Sequence, residues 1–478
     1  MGEEILSSQF TDADYETYYH KLDQETEVLR SMFDNQQFNQ SSAMCGIEQE
    51  AWITNKTHYP MPENQYLLDQ MQSDLLSPEL ALFNIELNTT PQHLASQGLS
   101  NMHRELSSLW QECEEKLQQK KLLLHMVGIL PTVRDDELIL ENMSRMNRYQ
   151  ALNEQVLKSR KGKPLKLNIV GKEHLKSEHL DVMLESAATS FQIHRQVPAE
   201  LSARYYNAAI LISGFMVALS ANSPFLFGRQ LWDETRIPLF EQAVEVGGYG
   251  DAAHGPIRRV TFGSDYAKNS VFECFEENLA HYPVLLPVAL KEKDNRLPHL
   301  RMHNGTIWRW NRPLIGFDEN DNPHVRIEHR VVSAGPTVTD EIANAVFFYG
   351  LQEYFASLPE APEISLTFSD SKNNFYAAAQ HGLNTTIRWL DGKKHPITSL
   401  LSTELVKNAC EGLAMLEVDR NVIKEYMEIV EARIAKKQTG AEWQKAIVNK
   451  YGKDMEQLAA KYWELQKTGN PVHDWSIT

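Results

Sequence analysis

Short runs in which polar and apolar residues alternate strictly, with carboxylates in mid-run, constrain this chain more than any other feature. The clearest is Gly46-Ile47-Glu48-Gln49-Glu50-Ala51. Alternate residues of a strand share a face, so Glu48 and Glu50 look into one space while Ile47 and Ala51 help line the other. Two like charges about 7 Å apart on a half-buried strand are unfavourable unless a cation, lysine or arginine offsets them. By itself the segment fits a solvent-exposed strand face as well as a metal-binding one.

Other runs repeat the anomaly. Phe83-Asn84-Ile85-Glu86-Leu87-Asn88 carries Glu86 in mid-strand, with Glu79 just ahead of it. In Ala188 to Val197 one face holds Ser190, Gln192, His194 and Gln196, where a lone histidine also fits a structural hydrogen-bonding role. His324 to Val332 places Arg326, Glu328 and Arg330 opposite Val325, Ile327 and Val331. That face reads either as a surface ion-pair ladder or as part of a site, and Arg301, His303, Arg309 and Arg312 precede it. Taken jointly, the runs predict an α+β fold: a curved antiparallel sheet with helices on its apolar face and Glu, His, Gln and Arg on a concave active-site face.

The periodicity predicts strands at 43–54, 81–90, 122–130, 165–171, 187–197, 299–311 and 324–333. Helical spacing fits 11–34, 92–121, 144–159, 200–221 and 339–357, and after Pro396 the chain turns helical and charged, with a break at Gly440. Three regions follow: a helical extension over 1–40, a catalytic domain over 41–396, and a helical region over 397–478 packed on it. The glycine-rich run Gly247 to Gly255 lacks dinucleotide spacing and reads as a plain loop or a lid.

A net charge of −17 argues against a nucleic-acid partner, which needs a basic stripe. Cys45, Cys113, Cys274 and Cys410 have no paired spacing, so reduced, mostly buried thiols are expected. The polar, acidic first 40 residues lack a signal-peptide pattern, and the most apolar stretch, Ala208 to Ala221, is too short to cross a bilayer. A cytoplasmic protein with no membrane partner is the expectation.

The mix of residue types narrows the chemistry. Mg²⁺ prefers carboxylates plus substrate phosphates, whereas catalytic zinc favours histidine-rich sets. Arginines supply forked donors for phosphate and carboxylate. Neither a Walker loop nor the kinase signatures are present, nor His-Glu-x-x-His or Gly-x-Ser-x-Gly. Metal-bound ATP held on a sheet by acids and arginines is the reading that remains.

From about Cys45 to the C-terminal helices the sequence resembles the second type of glutamate–cysteine ligase, which includes the bacterial carboxylate–amine ligases, within the glutamine synthetase-like fold. The carrying segments are Gly46 to Glu50, Glu79 to Glu86, Ser190 to His194, Ala221 to Phe225, Glu234-Thr235-Arg236, Arg301 to Trp310 and Arg326 to Arg330. The resemblance implies that Glu48, Glu50, Glu79, Glu86, His194 and Glu328 hold two or three Mg²⁺ ions, with Mn²⁺ as the alternative ion, bridging ATP. It implies that Arg330 contacts the transferred phosphate, that Arg301 and Arg236 meet a substrate carboxylate or phosphate, and that Arg326, Arg309 and Gln192 serve the nucleotide. The implied reaction joins glutamate to cysteine or another amine through an acyl phosphate. A regulatory protein that binds nucleotide or amino acid without turnover, and a metal-dependent amidohydrolase, are the competing readings. No segment matches a cysteine-recognition set. Residues 1–40 and 237–298 carry no motif and are left to an acceptor pocket or an oligomer interface, with a homodimer as the assembly considered.

Overall fold

A computed structural model describes residues 4–5, 7–39, 43–246, 258–290 and 294–477. The glycine-rich run 247–255 lies outside them. The central sheet is built from β1 (Met44–Thr54), β2 (Leu76–Pro78), β3 (Asn84–Asn88), β4 (Gln92–His93), β5 (Leu123–His125), β6 (Ser190–Val197), β7 (Asn311–Phe317) and β8 (Pro323–Ser333). Its order is β7-β8-β6-β1-β3-β2, with β4 and β5 also pairing with β1, and every pairing is antiparallel.

The back of the sheet explains the apolar half of the alternation. Ile47, Ala51, Phe191, Ile193, Ile327 and Val331 are buried in one core with the helices Ser202–Ser220 and Val338–Ser357. Both helices are buried nearly all round, as their apolar composition requires. Polar groups on this side tie the sheet to its helices and strands: Tyr349 Oη donates to the carbonyls of Gly46 (3.3 Å) and His194 (3.1 Å), and His329 Nδ1 pairs with Asn311 (2.7 Å). A second core gathers Trp52, Phe83, Leu167 and Leu184 with Trp443, Tyr462 and Trp475 of the C-terminal region.

The expected strands and helices are largely present, with three differences. The segment 299–311 is not a strand: Pro298–Gly305 is a helix opened by proline at its first position, and strand structure resumes only at Trp308–Arg309 and in β7. The helix expected from 92 begins at Gly98, after β4. The 122–130 strand shortens to β5. Gly440 marks the expected break by starting the helix Gly440–Tyr451, where a side chain would collide with Asn222 Oδ1 1.9 Å away. The helix predicted at 11–34 is Asp12–Asp34, opened by a capping box between Thr11 and Asp14.

Candidate active site

Register sets the site. On the front face, Glu50 of β1 lies opposite Glu86 of β3, and His194 of β6 lies opposite Glu328 of β8 and Gly46 of β1. The pleat thereby sorts five of the six expected ligands into two groups, and Glu79, just past the end of β2, completes the second. Glu48, His194 and Glu328 bring ligand atoms within 4.8 Å of one another, and so do Glu50, Glu79 and Glu86. Gly46 shares this face, and a side chain there would meet no atom within 4 Å. Both groups border a cavity of about 570 Å³, lined on its polar side by Glu48, Glu50, Glu79, His194 and Glu328 with Arg301, Arg312, Arg326 and Arg330. Val244, Phe275, Leu286 and Leu290 form an apolar wall.

The two groups differ in electrostatics. In the first, His194 Nε2 lies 3.2 Å from Glu48 and 3.9 Å from Glu328. Arg312 grips Glu328 with two hydrogen bonds, 2.8 and 2.9 Å, and Arg330 comes within 3.2 Å. Burial opposes ionisation of Glu328, but Arg312, Arg330 and His194 outweigh it and hold its carboxyl far below the usual range. Burial likewise opposes ionisation of Glu48, yet His194 brings it down to about 2.

The second group lacks such compensation. Burial, then neighbouring carboxylates, push Glu79 well above its ordinary value and Glu86 up to about 7. Glu50 is also raised by burial, although Arg330 and Ser190 work against the shift; it accepts from Ser190 N (2.7 Å), Ser190 Oγ (2.8 Å) and Gln192 Nε2 (2.9 Å). A fourth acid, Glu185, lines the same end, and burial followed by the Glu50 charge raises it to about 8.

A divalent cation fits this donor set. Glu48 Oε2 and Glu86 Oε2 are buried and accept no hydrogen bond from any described residue. Buried carboxylate oxygens are seldom left so, and an all-carboxylate group with one imidazole nearby suits Mg²⁺ or Mn²⁺.

A β-bulge aims Arg330. Between the pairs His329↔Ile193 and Val332↔Phe191, two residues of β8, Arg330 and Val331, oppose the single Gln192. Arg330 bonds the Gln192 side-chain oxygen while Gln192 holds Glu50, so a buried amide couples the arginine to the second acid group.

The remaining arginines divide. Arg301 and Arg326 line the cavity. Arg326, which the ion-pair-ladder reading would join to Glu328, makes no ion pair with it among the described residues; Arg312, present in the sequence run but given no role, takes that place. Arg236 is not on the cavity wall. Its guanidinium donates to the carbonyls of Arg330 (3.3 Å) and Val331 (2.6 Å) and to Glu234 (3.2 Å), so it holds the bulge from behind. Arg309 is also elsewhere, donating to Asn278 (2.6 Å) and Glu277 (2.9 Å). Gln192 is fully buried beneath the acids rather than exposed to the cavity. His303 points away, toward the Asn278 carbonyl at 3.2 Å.

No curated protein sequence matches the chain. Similar solved structures include the glutamate–cysteine ligase of Francisella tularensis in complex with AMP, at 10% identity over 92% of this chain and 91% of that one, TM-score 0.52. That likeness shows the fold. A bifunctional glutathione synthetase from Pasteurella multocida matches at 10% identity over 93% of this chain and 55% of that one, TM-score 0.49. The model of glutamate–cysteine ligase family 2 matches residues 44–462, a span that includes all twelve residues singled out from the sequence, and the chain therefore belongs to that ligase family.

Proposed function

We propose that this protein is an ATP-dependent carboxylate–amine ligase that makes a γ-glutamyl-type amide, with glutamate as the carboxylate donor. The observation that carries the reading is the pair of three-ligand groups, five residues on neighbouring strands and Glu79 just past β2, facing one cavity rimmed by arginines. Acids that repel one another in a buried site call for cations, and arginines beside them call for an anionic ligand; metal-bound nucleotide supplies both.

Glu48, His194 and Glu328 would hold one cation, and Glu50, Glu79 and Glu86 another. Bound there, Mg²⁺ supplies charge neutralisation for the phosphates. Arg330 is held by Glu328 and Gln192 at the boundary between the groups, where it meets the γ-phosphate. Arg301 and Arg326 are placed for the remaining anionic groups of the substrates. The donor carboxylate attacks the γ-phosphorus and ADP leaves; the amine then attacks the acyl carbon, forming the amide and releasing phosphate. Positioning and fixed positive charge carry such phosphoryl transfer. The apolar wall limits water around the acyl phosphate.

Incubation with ATP, Mg²⁺, glutamate and a panel of amines, cysteine included, should release ADP and phosphate and yield an amide by mass spectrometry. ATP binding without release for any pair would favour a non-catalytic binder, and hydrolysis of an amide without ATP would favour an amidohydrolase.

A further inference from the structure

We infer that the N-terminal segment, outside the family-matched span of 44–462, is a brace that positions the arginine-bearing wall of the active site, with Glu25 as its central positioning residue. The helix Asp12–Asp34 joins two elements that line the cavity. Tyr15 Oη donates to Gln155 (2.6 Å) on the helix Asn147–Ser159, whose first turns give Arg148, Tyr149 and Leu152 to the cavity. One turn further along, Tyr18 Oη donates to the His299 carbonyl (2.7 Å).

Glu25 is 1% exposed, and its carboxylate accepts from His299 Nδ1 (2.6 Å) and from the backbone N–H of Leu300 (2.8 Å). It thus caps the first turn of the helix Pro298–Gly305 from a different element, satisfying an N–H that has no partner within that helix. Arg301 follows directly and lines the cavity together with Asn304 and Gly305.

The segment reaches the cavity itself. Ile5 is 3% exposed and lines it; the Ile5 carbonyl accepts from Asn147 Nδ2 (2.8 Å), and Glu4 Oε1 accepts from Arg148 N (3.2 Å). A buried carboxylate is costly unless its bonds are made. Here both bonds end on the residues just before Arg301, so the segment sets where that guanidinium stands.

The kinetic part of the test rests on the ligase reading; the exchange part does not. Glu25→Ala removes both bonds, whereas Glu25→Gln retains an acceptor for Leu300 N–H and offers an amide to His299. In Glu25→Ala, amide hydrogen exchange over 299–305 should quicken on the order of tenfold. The KM for whichever substrate depends on Arg301, identified with Arg301→Ala, should rise by a similar factor with kcat within about twofold. Glu25→Gln should restore both, and the Glu25→Ala/Arg301→Ala double variant should lose no more than Arg301→Ala alone.

Unchanged exchange in a folded Glu25→Ala protein, or fully additive KM effects, overturns the brace. If Glu25→Ala does not fold, Tyr18→Phe removes one bond without changing bulk and carries the same exchange measurement. If the wild-type protein releases no ADP with any substrate pair, the ligase reading fails, and exchange still decides the brace.

Discussion

Glu328 is the most constrained side chain of the front face, because one buried carboxylate answers Arg312, Arg330 and His194 together. Replacing it by alanine leaves two buried guanidiniums without their carboxylate, with only Gln192 and the Gly305 carbonyl among the described residues to accept from them. Losing one side of a buried ion pair costs about 3–5 kcal/mol. Glu328→Ala should therefore melt well below the wild type and release ADP at least about 100-fold more slowly; a wild-type rate in a folded variant would remove Glu328 from the site.

The second acid group predicts a pH dependence whose sign is unusual for carboxylates. In the metal-free protein burial and neighbouring carboxylates hold Glu86 near about 7 and Glu185 near about 8, above the ordinary 4.5. The folded state then keeps protons that the unfolded chain has released. This contribution is fully present below 4.5 and is lost as pH rises through 7 to 8. Glu48, held down near about 2, acts in the opposite sense only below 4.5. Melting temperature without metal should fall from pH 5 to pH 8, and saturating Mg²⁺ should flatten that slope while releasing protons on binding. An identical slope with and without Mg²⁺ would count against cation binding at this end.

Residue types alone do not distinguish an arginine that meets a ligand from one that serves the fold. Glu48, Glu50, Glu86, His194 and Glu328 were legible because alternation places each on a known face. Arg236 and Arg309 carry the same charge, yet alongside a carboxylate each, Glu234 and Glu277, they donate to the Arg330 and Val331 carbonyls and to the Asn278 amide, which distant segments contribute. Nothing near them in sequence marks that difference. Glu185 sits in a one-turn helix without periodicity and left no comparable signal.

Among the elements, β1 and β8 show why pattern succeeded and where it stopped. Period two predicted both strands within two residues of their observed ends. It did not reveal the bulge, since one extra residue leaves the local sequence pattern unremarkable. The helix Pro298–Gly305 imitates a strand in sequence because His299, Arg301 and His303 alternate with apolar residues, each for a different neighbour: Glu25, the cavity and the Asn278 carbonyl.

Gly46 offers a test at this scale. It lies opposite His194 on the front of β1 with open space before it. Gly46→Ala should stabilise the fold by about 0.5–1 kcal/mol, since glycine weakens a strand interior. It should also slow turnover on the order of tenfold by placing a methyl beside the first acid group. Paired melting and ADP-release measurements read the two effects separately.

Across the molecule, we propose that the region 397–478 is no independent domain. Tyr462 Oη donates to the Met126 carbonyl (2.9 Å), Gln466 bonds Met126 and Pro336, and Arg433 is buried against Asp340 at 2.7 Å. Trp443, Tyr462 and Trp475 complete the second core. Calorimetry of the whole chain should show one transition, and truncation after residue 437 should abolish soluble folded protein; two separable transitions would restore a domain boundary. No helix among the described residues is long and apolar enough to cross a membrane.

The strand order carries one more consequence. β6 lies between β1 and β8, so the first acid group unites Glu48 from early in the chain with Glu328 from much later. Loop closure over such a distance is slow and is rewarded only after the intervening segments have formed. During synthesis, a ribosome-bound chain that has not reached β7 holds acids from β1 and β3 but lacks Glu328, Arg312 and Arg330. Such a nascent chain cannot assemble the first group or be rescued by its cation. Folding assisted by a cation at the first group would thereby be confined to chains already complete through the hairpin of β7 and β8, whereas the second group, drawn from β1, β3 and the residue after β2, is complete in the chain much earlier.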